Sequence, residues 1–216
     1  MAKTLSPVCK LCRREGEKLF LKGDRCFTPK CAFEKRSFAP GMHGKSGSRS
    51  RSSTGRESDF ARQLRAKQKA RRVYGTMERQ FRRYYEAAQK SRGLTGFTLL
   101  QLLETRLDNV VFRLGLSTSR AQARLLVTHG HFTVNGRRTD VPSMLMNPGD
   151  VIQVRDGSRD ATYFKELGDL ADKRNFPAWL NRDLKNMTGT VQRLPERAEI
   201  DGNLNEQLIV EFYSRR

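Results

Sequence analysis

Four cysteines stand in two close pairs: Cys9 and Cys12 with two residues between them, then, thirteen residues on, Cys26 and Cys31 with four between. Two such pairs joined by a loop can bring four thiolates around one tetrahedral ion, at about 2.3 Å for zinc. The segment that holds them, residues 1–45, is short, polar and broken by Gly and Pro, so apolar burial cannot close it. Metal binding would take the place of the missing core. Two other readings use the same side chains. A redox pair at Cys9 and Cys12 normally sits in a βαβ context, which is absent here, and a four-cysteine iron–sulfur cluster needs the same ligands. The second spacing departs from the commonest zinc pattern, and His43 lies too near a low-complexity tract to be counted as a ligand.

The second chemistry is cationic. Lys and Arg total 42 against 23 Asp and Glu, a net charge of +19. Residues 1–60 hold 14 basic and 6 acidic side chains, and residues 61–95 hold 11 and 2, so +17 of the excess lies in the first 95 residues. Such a chain repels itself unless a polyanion neutralises it, and released counterions then favour binding. There is no apolar run of membrane-spanning length, and the opening Met1-Ala2-Lys3-Thr4 does not read as a signal or transit peptide. The reading is therefore a reducing, cytosolic or organellar compartment, no membrane and no small-molecule substrate. No phosphate-binding loop or dinucleotide fingerprint appears.

The elements that must position these residues follow from periodicity. Residues 46–57 form a basic Ser/Gly tract, read as a flexible arm. Ser58 caps a helix to about Tyr74, with an incomplete apolar stripe and Arg62, Arg65, Lys67, Lys69, Arg71 and Arg72 around the rest. Acids are nearly missing between Arg62 and Arg92, so phosphate binding is preferred to a solvated face. Thr76 is expected to cap a second helix to Lys90, carrying Arg82 and Arg83, with Phe81, Tyr84 and Tyr85 read as core before base-stacking. A third helix is expected over residues 98–114, and a short one from Ser119 to His129. The period then changes to two: strands at 132–134, 138–141 and 151–154 join through an Asn135-Gly136 turn. Further strands are expected near 190–194 and 207–213. The predicted class is α+β, with segments 1–45, 46–57, 58–104, 105–156 and 157–216, the last packing on the helical region.

Residues 105–115 (TRLDNVVFRLG), 119–124 (SRAQAR), 129–137 (HGHFTVNGR) and 148–150 (PGD) closely resemble the S-four RNA-binding domain. There the helix from Ser119 would aim free amides, Arg120 and Arg124 at phosphate, with Arg137 and Arg138 beside them at the turn. His129 and His131 read as helix-end and RNA-facing residues. Arg106-Leu107-Asp108 also resembles a catalytic motif of pseudouridine synthases, whose separate catalytic domain has no counterpart here. It reads instead as a surface charge pair in mid-helix. Residues 8–16 (VCKLCRREG), 21–23 (LKG), 40–44 (PGMHG), 67–75 (KQKARRVYG) and 205–214 (NEQLIVEFYS) extend the likeness over the whole chain. It is similar to the bacterial S-four family of small-subunit ribosomal proteins, differing at the 46–56 tract.

The resemblance implies a non-catalytic, early binder of the 5′ domain of small-subunit rRNA that abuts a neighbouring small-subunit protein. It also implies a place along the mRNA entry path, an effect on decoding accuracy and, in some bacteria, repression of its own operon. Many members lack the cysteines, and this chain keeps all four. The expected RNA-binding residues are Arg13, Arg14, Lys22, Arg62, Arg65, Lys67, Lys69, Arg71, Arg72, Arg82, Arg83, Arg106, Arg120, Arg124, His131, Arg137 and Arg138, acting as a three-part clamp of knuckle, basic helix and S-four module. The rivals are an RNA-modifying enzyme with an S-four targeting arm, and a free stress or repressor protein.

Overall fold

The computed structural model describes residues 6–44, 58–171, 176–200 and 203–215; the expected arm at 46–57 lies outside them. The chain forms two compact units, residues 1–96 with 203–216, and residues 97–202.

In the first unit, α1 (Cys9–Glu15) ends at Gly16, whose φ of +78° suits the left-handed stop of a helix. A 3₁₀ turn, Gly23–Phe27, and α2 (Ala32–Lys35) complete the cysteine-bearing segment. The long basic helix α3 (Asp59–Val73) begins where Ser58 accepts a hydrogen bond from the amide of Ala61. α4 (Glu78–Lys90) starts one residue later than expected: Met77 occupies the boundary, and the Thr76 hydroxyl is turned back toward the carbonyl of Arg71. The final element, α10 (Glu206–Ser214), corrects the strand expected at 207–213. Asn205 caps it by accepting from the amide of Leu208, and Ile209, Phe212 and Tyr213 recur at helical spacing toward α3 and α4. Phe60 meets Phe212, and Tyr213 stacks on Tyr85 and Phe81. Phe81 and Tyr85 are therefore core residues.

In the second unit, the helix expected over 98–114 is two: α5 (Thr95–Glu104) and α6 (Leu107–Arg113). The break has a backbone cause. The amide of Leu107 donates to the carbonyl of Met144 at 2.8 Å, the amide of Met146 donates to that of Thr105 at 2.8 Å, and Arg106 bridges Leu145. A segment engaged sideways in this way cannot continue its own helical bonds.

α7 (Arg120–Thr128) follows, capped by Ser119. Strands β1 (Phe132–Val134), β2 (Arg137–Thr139) and β3 (Val151–Val154) form the expected hairpin and its neighbour. Asn135 at φ +50° and Gly136 at φ +78° supply the two left-handed positions of a tight turn. Two short helices, α8 (Asp156–Arg159) and α9 (Thr162–Ala171), lead to β4 (Leu180–Asp183) and β5 (Thr188–Val191). All pairings are antiparallel, in the order β2-β1-β3-β5-β4.

This corrects the segment drawn as 157–216. Residues 176–200 complete the sheet of the second unit, and only α10 returns to the helical one. The core runs from α6 and α7 through β1 and β3 to Phe164, Trp179 and Val191, all but fully buried. At Gly189 any Cβ would come within 2.4 Å of the Leu114 side chain, so β5 lies on α6 only because that residue is glycine.

Candidate nucleic-acid interface

α3 was expected to present its cations to phosphate, because its own neighbourhood in sequence lacks acids. The fold supplies the acids from elsewhere. Lys67, whose side chain is 6% exposed, donates to both carboxylate oxygens of Glu78 at 3.0 and 2.9 Å and lies 4.6 Å from the centroid of Phe212. Burial alone would push the Glu78 carboxyl up, but hydrogen bonds from Lys67 and Tyr213 outweigh it and hold the group below its usual range. Burial, and then the hydrogen bond to Glu78, drives the Tyr213 phenol far above its ordinary range.

On the opposite side, the 2%-exposed side chain of Glu15 pairs with Arg72 and lies 3.6 Å from Arg65, while Glu17 pairs with Lys69 at 2.7 Å. Burial raises the Glu15 carboxyl against the pull of Arg72, and burial lowers the Arg72 guanidinium. Both partners are desolvated, so this pair fastens the cysteine-bearing segment to α3 more than it adds net stability. Lys67 is thereby corrected from an RNA contact to a buried internal tie. Arg65, Lys69, Arg71 and Arg72 are partly buried and paired.

Outward-facing cations remain. Arg62 is exposed beside Asp59, and α4 shows Arg82 and Arg83 to solvent. Arg79 is exposed on the same helix, three and four residues before them, and so shares their face. The sequence reading missed it, though its spacing was the available signal. α1, the 37–44 loop, α3 and residues 203–208 enclose a cleft of about 870 Å³ with Arg13, Arg14, Arg62, Arg65 and Lys69 in its walls. Arg13 is held there, its Nε donating to the carbonyl of Phe38 at 2.9 Å. Lys22 is exposed.

The four cysteines form no disulfide, and Cys12, Cys26 and Cys31 are buried. Burial raises the Cys12 thiol. Among the described residues no group of three or more Cys, His, Asp or Glu side chains stands as a ready metal-holding set.

In the second unit the conspicuous feature is a buried charge network. Glu104, 1% exposed at its side chain, accepts from Arg113 at 3.0 and 2.7 Å and from Asn109 at 2.7 Å, and lies 3.9 Å from Arg120. Arg120 donates to Asn109 at 2.7 Å and covers the Phe112 ring. Asp108 accepts both arms of Arg106, at 3.0 and 2.6 Å, and lies 3.9 Å from Arg124. Arg106 is fully buried, so it is corrected from an RNA contact to the structural partner of Asp108, and the charge pair expected at the surface is an interior one.

Arg120 and Arg124 are thus mostly buried, 14% and 15% exposed at their side chains, and exposed cations lie instead at the β1–β2 turn. Arg120 and Arg124 stand one turn apart on α7. The guanidinium of Arg138 lies against Gly130 just beyond its end, where any Cβ would meet it at 2.6 Å. Arg137 is exposed at the turn. His131 is half-buried, its Nδ1 3.0 Å from the Ser158 hydroxyl, and burial, then the charges of His129 and Arg155, lower its pKa.

Comparison with known proteins also divides the chain, at residue 104 rather than at residue 96. Residues 3–104 match the family described as ribosomal protein S4/S9 N-terminal domain, and residues 105–152 match the S4 domain. Over the full length of both chains, the sequence is 54% identical to small ribosomal subunit protein uS4 of Natranaerobius thermophilus and 55% identical to that of Pelotomaculum thermopropionicum. It is 50% identical to that of Nitrosospira multiformis, again over the whole of both chains. The chain belongs to the uS4 family. Within the uS4 frame, α7 and the β1–β2 turn lie in the S4 domain. The cysteine-bearing segment, α3 and α4 lie in the N-terminal domain.

Proposed function

We propose that this chain is a structural, non-catalytic constituent of the small ribosomal subunit in the cytoplasm, binding its rRNA and neighbouring ribosomal proteins. The observation that carries this is full-length similarity to uS4 proteins at 50–55% identity. The exposed cations agree with it: Arg62, Arg79, Arg82 and Arg83 in one unit, and Arg137 and Arg138 in the other. They suit the backbone of folded RNA, whose A-form major groove is too narrow for side chains to read bases. The charge excess supports binding to a polyanion, and the family likeness supports an early role in organising the 5′ domain of the rRNA and a place near the mRNA entry path with an effect on accuracy.

An RNA-modifying enzyme would need a carboxylate open to a uridine. Asp108, the candidate in a family-like motif, is instead taken up by Arg106.

In our reading Cys9, Cys12, Cys26 and Cys31 bind zinc as thiolates. Four unbridged thiols, three of them buried, in a segment with little apolar core support it. The ion would supply closure of that segment. Metal analysis of the purified chain, with absorbance near 400 nm read for an iron–sulfur cluster, tests this; a metal-free, folded chain would refute it. The function itself is tested by sedimentation of a lysate, in which the chain travels with small subunits. Finding most of it free would favour the repressor or stress-protein reading.

A further inference from the structure

The cysteine-bearing segment carries two aromatic rings that no core takes up. Phe20 and Phe27 stack on each other, centroids 5.0 Å apart and planes 25° from parallel, yet Phe20 is 43% exposed and Phe27 73%. Leu19, the neighbour of Phe20, turns inward to 5% exposure, so the segment has an interior that the rings do not use. Phe20 also holds its backbone at φ +50°, a conformation that bulky residues rarely adopt. Strain of this kind gathers at ligand sites.

The rings sit at the two ends of one tied loop. The amide of Lys22 approaches Cys26 Sγ at 3.4 Å, and Phe27 closes the 3₁₀ turn Gly23–Phe27. Around them the chain is net basic: Lys22, Arg25 and Lys30 are exposed, each within three residues of one ring, against the single exposed acid Asp24. The centre of a protein–protein contact is ordinarily depleted of lysine. Flat apolar rings among cations instead complement a polyanion whose unpaired bases offer flat faces.

We propose that Phe20 and Phe27 form a stacking platform for an unpaired base of the rRNA, with the outer face of Phe27 as the receiving surface. The platform rests on the rRNA-binding reading above and adds a contact of another kind. Phosphate contacts weaken with salt, whereas stacking does not displace counterions.

The test uses the full chain and small-subunit rRNA, comparing Phe27→Ser and Phe27→Trp with the unaltered protein across a salt series. Phe27 is exposed, so neither change opens a cavity, and thermal melting checks that both variants fold. Phe27→Ser is expected to weaken binding about tenfold at every salt concentration with the slope unchanged, and Phe27→Trp to restore it. Ultraviolet irradiation of the unaltered complex should link RNA to the peptide carrying these rings, as read by mass spectrometry. Unchanged affinity without that cross-link, while the unaltered chain still binds rRNA, overturns the platform and leaves the rRNA reading standing. No rRNA binding by the unaltered chain removes both. Linkage of the same peptide to a neighbouring protein in assembled subunits overturns the base-stacking proposal in favour of a protein contact.

Discussion

Glu104 is the most consequential single residue of the second unit. It is a buried carboxylate that satisfies Arg113 and Asn109 and lies within reach of Arg120. Replacing both members of a buried pair with apolar groups is often tolerated, but removing one leaves the other charged and unsolvated. Glu104→Ala is expected to destabilise this unit by about 3–5 kcal/mol, measured by denaturant unfolding. His131 sets a pH dependence of known sign. Its folded pKa is depressed, so the unfolded chain takes up the proton first, and stability present above about pH 6.5 falls as the solution is acidified through that value. The unfolding midpoint compared at pH 7.5 and pH 5.5 should show the loss, and His131→Gln should reduce it.

At the scale of elements, α10 shows how a residue pattern can mislead. Leu208 to Tyr213, Glu211 apart, is apolar, β-branched and aromatic, which reads as a strand. The Asn205 cap, and a partner surface on α3 that takes residues at helical spacing, decide for helix. Phe212→Ala is expected to cost about 3–5 kcal/mol in the first unit alone. Hydrogen exchange resolved by segment should show protection lost in α3 and α10 and retained in the β1–β5 sheet. The α5–α6 break is a second case: the apolar face over 99–114 is continuous in sequence, and only the pairing of 105–107 with 144–146 interrupts it. Ser58, Ser119 and the Asn135-Gly136 turn were legible in advance, because caps and tight turns are decided within a few residues.

For the molecule as a whole, the measurable quantity is the salt dependence of rRNA binding. Each exposed arginine that meets a phosphate should add about 0.7–0.9 to the negative slope of log affinity against log salt. Arg79, Arg82 and Arg83 changed together to Gln are expected to lower that slope by about two or more if all three meet phosphate, whereas Lys67→Met should leave it unchanged. An unchanged slope in the triple variant would remove α4 from the interface.

The sequence by itself determined the charge excess, its concentration in the first 95 residues, the cysteine pairs, the α+β class and most helix starts, because composition and local spacing carry those. Tertiary structure alone decided which cations are available. Glu15 lies 57 residues from Arg72, and Glu78 lies 135 from Tyr213, and periodicity has no access to pairs so distant. The fold brings buried acids to some arginines and lysines and leaves others in water. Two cations alike in sequence context thus become, in one case, a fastening inside the protein and, in the other, a charge open to solvent.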